Sequence, residues 1–140
     1  MHIRPFHPAD ETAVIELWRA CDLLRPWNDP HQDIQRKLTT QPELFLVGEI
    51  EGQLMASIMA GFDGHRGWVN YLAVSPAQRR AGLGRALMRH VEAALQARGC
   101  PKLSLQVRST NHAVLAFYQR LGYGTDDVVS LGKRLIADGP

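Results

Sequence analysis

A chain of 140 residues with 45% apolar side chains has room for one domain around one sizeable core, spanning residues 1–140, and no room for two. A net charge of +2 from 16 basic and 14 acidic residues argues against a broad polyanion-binding surface, so no nucleic-acid partner is expected. Cys21 and Cys100 make no disulfide framework, the Met1–Pro5 start has no apolar targeting core, and no apolar run reaches membrane-spanning length, so a cytoplasmic protein without membrane contact is expected.

After a short opening strand, Val14, Leu17, Trp18 and Cys21 recur at helical spacing behind Pro8. Asp29-Pro30-His31-Gln32 reads as the capped start of a second, short helix with Ile34 and Leu38 facing inward. Leu44 to Ile50 and Leu54 to Ala60 read as strands joined by a Glu51-Gly52 turn, and Trp68 to Val74 follows after Asp63-Gly64-His65-Arg66-Gly67. All three are almost continuously apolar, which places them at the centre of a sheet. Leu83, Leu87, Val91 and Leu95 line a third helix that Gly99 and Pro101 stop. Leu103, Leu105 and Val107 alternate with Ser104, Gln106 and Arg108 as a strand with one polar face. Val114, Phe117, Tyr118 and Leu121 mark a last helix ended by Gly122, and one or two terminal strands are expected beyond it. Trp18 and Trp68 read as core residues.

The stretch Val74-Ser75-Pro76-Ala77-Gln78-Arg79-Arg80-Ala81-Gly82-Leu83-Gly84-Arg85 links the third strand to the third helix. The first turn of a helix has backbone N–H groups without intrahelical partners and carries the positive end of the helix dipole. Gly82 and Gly84 lack side chains that would block an anion, and Arg79, Arg80 and Arg85 add fixed charge. Each charge-assisted hydrogen bond contributes roughly 1.5–3 kcal/mol, so three or four would hold a diphosphate. The loop has no G-x-x-x-x-G-K-[ST] spelling, and Gly82-x-Gly84 lacks the third glycine of the dinucleotide fingerprint.

Element order and two motifs together resemble the GNAT superfamily of acetyl-coenzyme A dependent N-acetyltransferases over essentially the whole chain. Arg79-Arg80-Ala81-Gly82-Leu83-Gly84 is similar to the family's Q/R-x-x-G-x-G/A pyrophosphate loop. Asn111 with Ala116-Phe117-Tyr118-Gln119-Arg120-Leu121-Gly122-Tyr123 is similar to its N-x-x-A…(F/Y)-Y-x-x-L-G-(F/Y) segment. The resemblance implies a three-layer α-β-α fold whose mixed, mostly antiparallel sheet is splayed at a cofactor cleft. It implies acetyl-CoA as cosubstrate without a metal, its pyrophosphate gripped by Arg79, Arg80, Ala81, Gly82, Leu83, Gly84 and Arg85. Backbone groups of Leu72, Ala73 and Val74 would pair with the pantetheine arm. Arg80 departs from the glycine many members have there. Asn111 has two readings, an N-cap and a coenzyme contact, which are compatible.

The implied reaction moves an acetyl group to a primary amine by direct attack in a ternary complex; the alternative is a non-catalytic acyl-CoA binding module. Tyr118 is the candidate acid, since a phenol of pKa about 10 can protonate a departing thiolate, although its place in the helix also suits packing. Some relatives that acetylate protein N-termini carry glutamate at the position of Gln106, which cannot take a proton. Asp63, His65 and Glu49 remain as candidate bases. Deprotonating a lysine-type amine at neutral pH costs roughly 4.6 kcal/mol and an α-amine about 1, so a low-pKa acceptor or a water relay would dispense with a base. Leu24-Arg25-Pro26-Trp27-Asn28-Asp29-Pro30 is the candidate acceptor-recognition segment, with Trp27 as an apolar wall and Asp29 either attracting a cation or capping the second helix. The acceptor itself, a small molecule or a protein amine, is open, and a homodimer is compatible with the family.

Overall fold

The computed structural model describes residues 1–139. Five strands and four α-helices follow in chain order: β1 (His2–Pro5), α1 (Glu11–Ala20), α2 (Pro30–Leu38), β2 (Phe45–Ile50), β3 (Gln53–Phe62), β4 (Gly67–Val74), α3 (Leu83–Ala97), β5 (Leu103–Leu105) and α4 (His112–Arg120). The strands form one sheet in the order β1-β2-β3-β4-β5, with the first three neighbour pairs antiparallel and β4–β5 parallel. Alternating side chains on the central strands feed two cores, one on each face. Val14, Leu17 and Trp18 of α1 and Ile34 of α2 meet Phe45, Val47 and Met59 on one face. Leu87, Met88, Val91 and Leu95 of α3 and Tyr118 of α4 meet Leu46, Ile58 and Val69 on the other. This is the expected three-layer arrangement on a mixed, mostly antiparallel sheet.

Local chemistry accounts for most of the element ends. Glu51 and Gly52 both have positive φ (52° and 77°), the backbone of the tight turn that matches the twist of an antiparallel hairpin. The Asp29 carboxylate accepts from the His31 N–H at 2.9 Å, with Pro30 following as the first helical residue of α2. Asn111 caps α4 through its Oδ1, which accepts from the Val114 N–H at 3.3 Å. On α2 the inward places go to Ile34 and also to Lys37, whose ammonium donates to the Ala60 carbonyl; burial pushes its pKa down. Leu38 is half-buried beside them.

Three expectations need correction. Trp18 is fully buried, but Trp68 is 40% exposed, its indole N–H donating to the Asp63 carboxylate at 3.2 Å. Its neighbours Gly67 and Val69 are buried, so Trp68 points to the opposite sheet face at an end where α1 and α2 do not cover it. The fifth strand ends at Leu105, short of Val107. The terminal strands beyond Gly122 do not form among the described residues. Instead the segment runs beside β5 with matched spacing, Lys102 pairing with Asp126 at 2.9 Å and Gln106 donating to Ser130. It then crosses to the α1–α2 loop and α2, where Arg134 donates to Asn28 at 3.0 Å and Asp138 meets Arg36. Side-chain contacts attach this segment where main-chain ladder bonds were expected, and Val128, Val129 and Leu131 stay exposed.

Candidate active site

The site begins where two strands part. β4 pairs with β5 only through Gly67–Leu103, Trp68–Ser104 and Val69–Leu105, yet β4 continues to Val74. The change happens at Tyr71, whose φ is +53°. Across that point the β3–β4 register shifts from Ser57–Ala73 to Met59–Asn70, so β4 carries one extra residue, a β-bulge. Val69 packs in the α3 core while Tyr71, two residues on, packs in the α1 core, a parity break that bends the strand. Left-handed backbone at a tyrosine costs about 1–2 kcal/mol and needs support. That support is present: the Tyr71 ring stacks on Trp18 at 3.8 Å, and its carbonyl accepts from the Ser57 hydroxyl at 3.2 Å. Ser57 accepts from the Trp18 indole N–H at 2.9 Å, and the Tyr71 hydroxyl donates to Asp33 at 2.6 Å. Burial and the facing Asp33 carboxylate raise the Tyr71 phenol well above its ordinary value. Leu72, Ala73 and Val74 therefore present an edge with no β5 partner, and the Val74 carbonyl accepts the Cys21 thiol at 3.2 Å.

The loop after β4 supplies donors. The Gln78 N–H bonds Ser75 O at 2.8 Å, and the next bonded amide is Ala86, to Gly82 O at 3.0 Å. Between them the seven amides from Arg79 to Arg85 have no hydrogen-bond partner among the described residues. Positive φ at Arg80 (66°) and Gly82 (79°) turns successive N–H groups toward one side, the concave arrangement that receives anions. Arg79, Arg80 and Arg85 are exposed and take part in no ion pair among the described residues. The two glycines differ in what they do. A Cβ at Gly82 would meet nothing within 4 Å, whereas one at Gly84 would sit 3.2 Å from the Phe117 ring and 3.6 Å from Val74. Gly84 is thus explained by the seating of α3 on α4 and β4, and the opening toward a ligand belongs to Gly82. Since space at Gly82 is open and only φ is at issue, Gly82→Ala is expected to lower stability by about 1 kcal/mol, and Arg80→Gly to raise it by a similar amount, in urea titrations.

Tyr118 stands on α4 with 8% exposure, edge-on to Phe117 at 5.0 Å and Tyr123 at 5.7 Å. Burial pushes its phenol up to about 12. Its hydroxyl makes no hydrogen bond among the described residues, and it lines a long groove that also includes Tyr71, Asp33, Arg36, Asn28 and Gln106. The 79–85 loop is not part of that lining. Of the expected bases, Asp63 accepts from the His65 and Arg66 N–H groups at 2.8 and 2.7 Å as well as from Trp68, which holds its carboxyl below the usual range. It organises a turn. His65 is an exposed residue of that same turn. Glu49 is bound by the Arg4 guanidinium at 2.5 Å where β1 pairs with β2, with β3 between it and the opening. In the acceptor segment, Asp29 is spent on its cap, and Trp27 lies 5.9 Å below the Arg108 guanidinium.

The family model described as Acetyltransferase (GNAT) family matches residues 12–123 of this chain. The chain belongs to the GNAT acetyltransferase family. Among its relatives, an acetyltransferase of Yersinia enterocolitica is 54% identical over 138 residues, covering 99% of this chain and 98% of that one. An uncharacterised N-acetyltransferase of Yersinia pestis is 54% identical over the same length and coverage. Of solved structures, Ard1 from Thermoplasma volcanium superimposes with a TM-score of 0.75 at 25% identity, covering 86% of this chain and 80% of that one. The ribosomal-protein-S18-alanine N-acetyltransferase from Escherichia coli does so with a TM-score of 0.72 at 25% identity, covering 86% and 76%.

Within this GNAT chain, sequence reasoning did not single out Ser57, Tyr71 or Asp33. The signal for Tyr71 was weak: an Asn-Tyr pair inside an otherwise apolar strand, which suits a bulge as well as a surface face. Among the described residues no helix is long and apolar enough to cross a membrane, and no group of three or more His, Cys, Asp and Glu side chains is placed to hold a metal.

Proposed function

We propose that this GNAT chain is an acetyl-CoA-dependent N-acetyltransferase that moves the acetyl group to a primary amine by direct attack in a ternary complex. The observation that carries the reading is the run of free amides from Arg79 to Arg85 directly after a strand edge that β5 leaves open. The donor set fits acetyl-CoA. The loop amides and the Arg79, Arg80 and Arg85 side chains suit a pyrophosphate, and the Leu72–Val74 edge suits the two amide groups of a pantetheine arm.

Bound acetyl-CoA supplies the acetyl group as a thioester. The chain's own part is to align that arm as a substitute strand, to admit an amine through the groove, and to hold a proton at the Tyr118 hydroxyl for the sulfur that leaves. Since Asp63 and Glu49 are engaged elsewhere, the amine proton passes to water in the groove. On that route deprotonation at neutral pH adds about 1 kcal/mol for an α-amine and about 4.6 kcal/mol for a lysine-type amine, so both classes can react and the lower-pKa acceptor reacts faster.

Acetyl-CoA at about 100 times its Kd is expected to stabilise the fold by about 2.7 kcal/mol, read as a rise in Tm. Arg79→Ala, losing one charge-assisted contact, is expected to weaken that binding by about 10–100-fold. A screen of peptide, lysine, polyamine and small-metabolite amines, reading free thiol, tests transfer. A rise in Tm without thiol release from any class would favour the non-catalytic acyl-CoA binding module.

A further inference from the structure

The sheet separates two sides of the opening between β4 and β5. Tyr118 belongs to the core on the α3–α4 face, and Tyr71 to the core on the α1–α2 face. Asp33 lies on the second side, at the end of a chain of contacts that runs from Trp18 through Ser57 and Tyr71. Its Oδ2 accepts the Tyr71 hydroxyl at 2.6 Å, which orients the carboxylate. Its Oδ1 has no hydrogen bond among the described residues, and Asp33 lines the groove.

A cation is close at hand and is shared with a second carboxylate. Arg36 approaches Asp33 Oδ1 only to 3.5 Å, because both of its terminal nitrogens bond Asp138, at 2.7 and 2.6 Å. This paired grip from Asp138, whose side chain is itself buried against the domain, offsets the Arg36 charge. Asp33 is left as an oriented carboxylate whose Oδ1 accepts no hydrogen bond and shares the Arg36 guanidinium, 3.5 Å away, with Asp138, so two carboxylates face one cation at the groove. Glu92, by contrast, is taken by Tyr123 and Arg89, and Asp126 by Lys102.

What such a carboxylate would hold follows from the chemistry. An amine must be neutral to attack a thioester, and a carboxylate beside it would favour its charged form. Asp33 also sits on the face of the sheet away from Tyr118, the proton source. Both points place it against the body of the acceptor and away from the reacting nitrogen. We propose that Asp33, oriented by Tyr71 and sharing Arg36 with Asp138, is the specificity-determining cation subsite of the acceptor groove, and that the acceptor is an amine carrying a second positive charge.

This inference rests on the acetyl-transfer reading above, and its test keeps the two apart. Thiol release from acetyl-CoA is measured with α,ω-diaminoalkanes of three to eight carbons and with n-alkylamines of matching length. The wild-type protein is expected to prefer at least one diamine over its monoamine by about tenfold or more in kcat/KM. Asp33→Asn keeps an acceptor for the Tyr71 hydroxyl, so the fold is retained; it is expected to raise KM for that diamine about tenfold more than KM for the matching monoamine, with kcat affected equally for both. Asp138→Asn, which frees Arg36 to turn toward Asp33, is expected to act in the same direction. Equal losses for diamine and monoamine, no loss in Asp33→Asn, or transfer confined to amines with a single charge would overturn the subsite while leaving acetyl transfer intact. Absence of both the acetyl-CoA rise in Tm and any thiol release would overturn the acetyl-transfer reading and the subsite with it.

Discussion

Trp18→Ala is expected to lower the free energy of unfolding by about 3–5 kcal/mol, seen as a lower urea midpoint at unchanged slope. The side chain is fully buried, stacked on Tyr71 at 3.8 Å and on Phe45 at 6.2 Å, so its removal leaves a cavity between α1 and the sheet. The loss is a large share of the 5–15 kcal/mol typical of a domain. Two milder variants divide it. Trp18→Phe keeps most of the apolar area but removes the donor to Ser57, and about 1–2 kcal/mol is expected. Ser57→Ala strands the buried Trp18 N–H and also removes the donor to the Tyr71 carbonyl, and about 1–3 kcal/mol is expected. All three reach function through the same route. They loosen the bulge at Tyr71 that turns β4 away from β5, so the rise in Tm given by acetyl-CoA should shrink along with basal stability.

That dependence shows which parts of the site sequence can reveal. Gly52, Pro76 and Gly82 act through backbone conformation tied to residue type, so the hairpin turn and the 79–85 loop are readable as letters. The stripe of α3 is readable because its period of 3.6 sorts four leucines and valines onto one face. Tyr71 is different: its positive φ is imposed by Trp18, Ser57 and Asp33 from three other elements, and nothing in a tyrosine announces it. Trp18 and Trp68 carry the same letter, yet one is enclosed by helices and the other stands at an end of the sheet that no helix covers. Gly82 and Gly84 likewise look equivalent until Phe117 is found against one of them. Asp126 and Ser130 turn their polar side chains to Lys102 and Gln106, the residues on either side of β5, and the segment is attached without a ladder. Lys37 is polar by type and buried because its helix lies across Ala60, whose carbonyl takes the ammonium. In each case the missing information is a partner distant in sequence.

Tyr118→Phe is expected to reduce the rate of thiol release by about 100-fold or more while acetyl-CoA binding, read by Tm, stays close to that of the unaltered protein, as for loss of a general acid. The reason lies in the burial that raises the phenol to about 12. With a leaving thiolate of pKa about 8.5, full proton transfer from such a phenol is uphill by roughly 5 kcal/mol, so the hydroxyl does most by donating a hydrogen bond as the sulfur gains charge. It also stays protonated at any ordinary assay pH, and the rate should show no alkaline fall that Tyr118→Phe abolishes below about pH 10. Stability should report the same group with a definite sign. The unfolded phenol loses its proton near pH 10 and the folded one near 12, so the contribution of Tyr118 is fully present below pH 10 and declines as pH rises through 12, by roughly 2–3 kcal/mol. Tyr118→Phe should flatten that part of the decline. Tyr71 and Tyr123, also raised by burial and by facing carboxylates, would continue to titrate in the variant. A hydroxyl that served packing alone would lose the alkaline step in stability and leave thiol release untouched. The proposed acid requires that both change in one substitution.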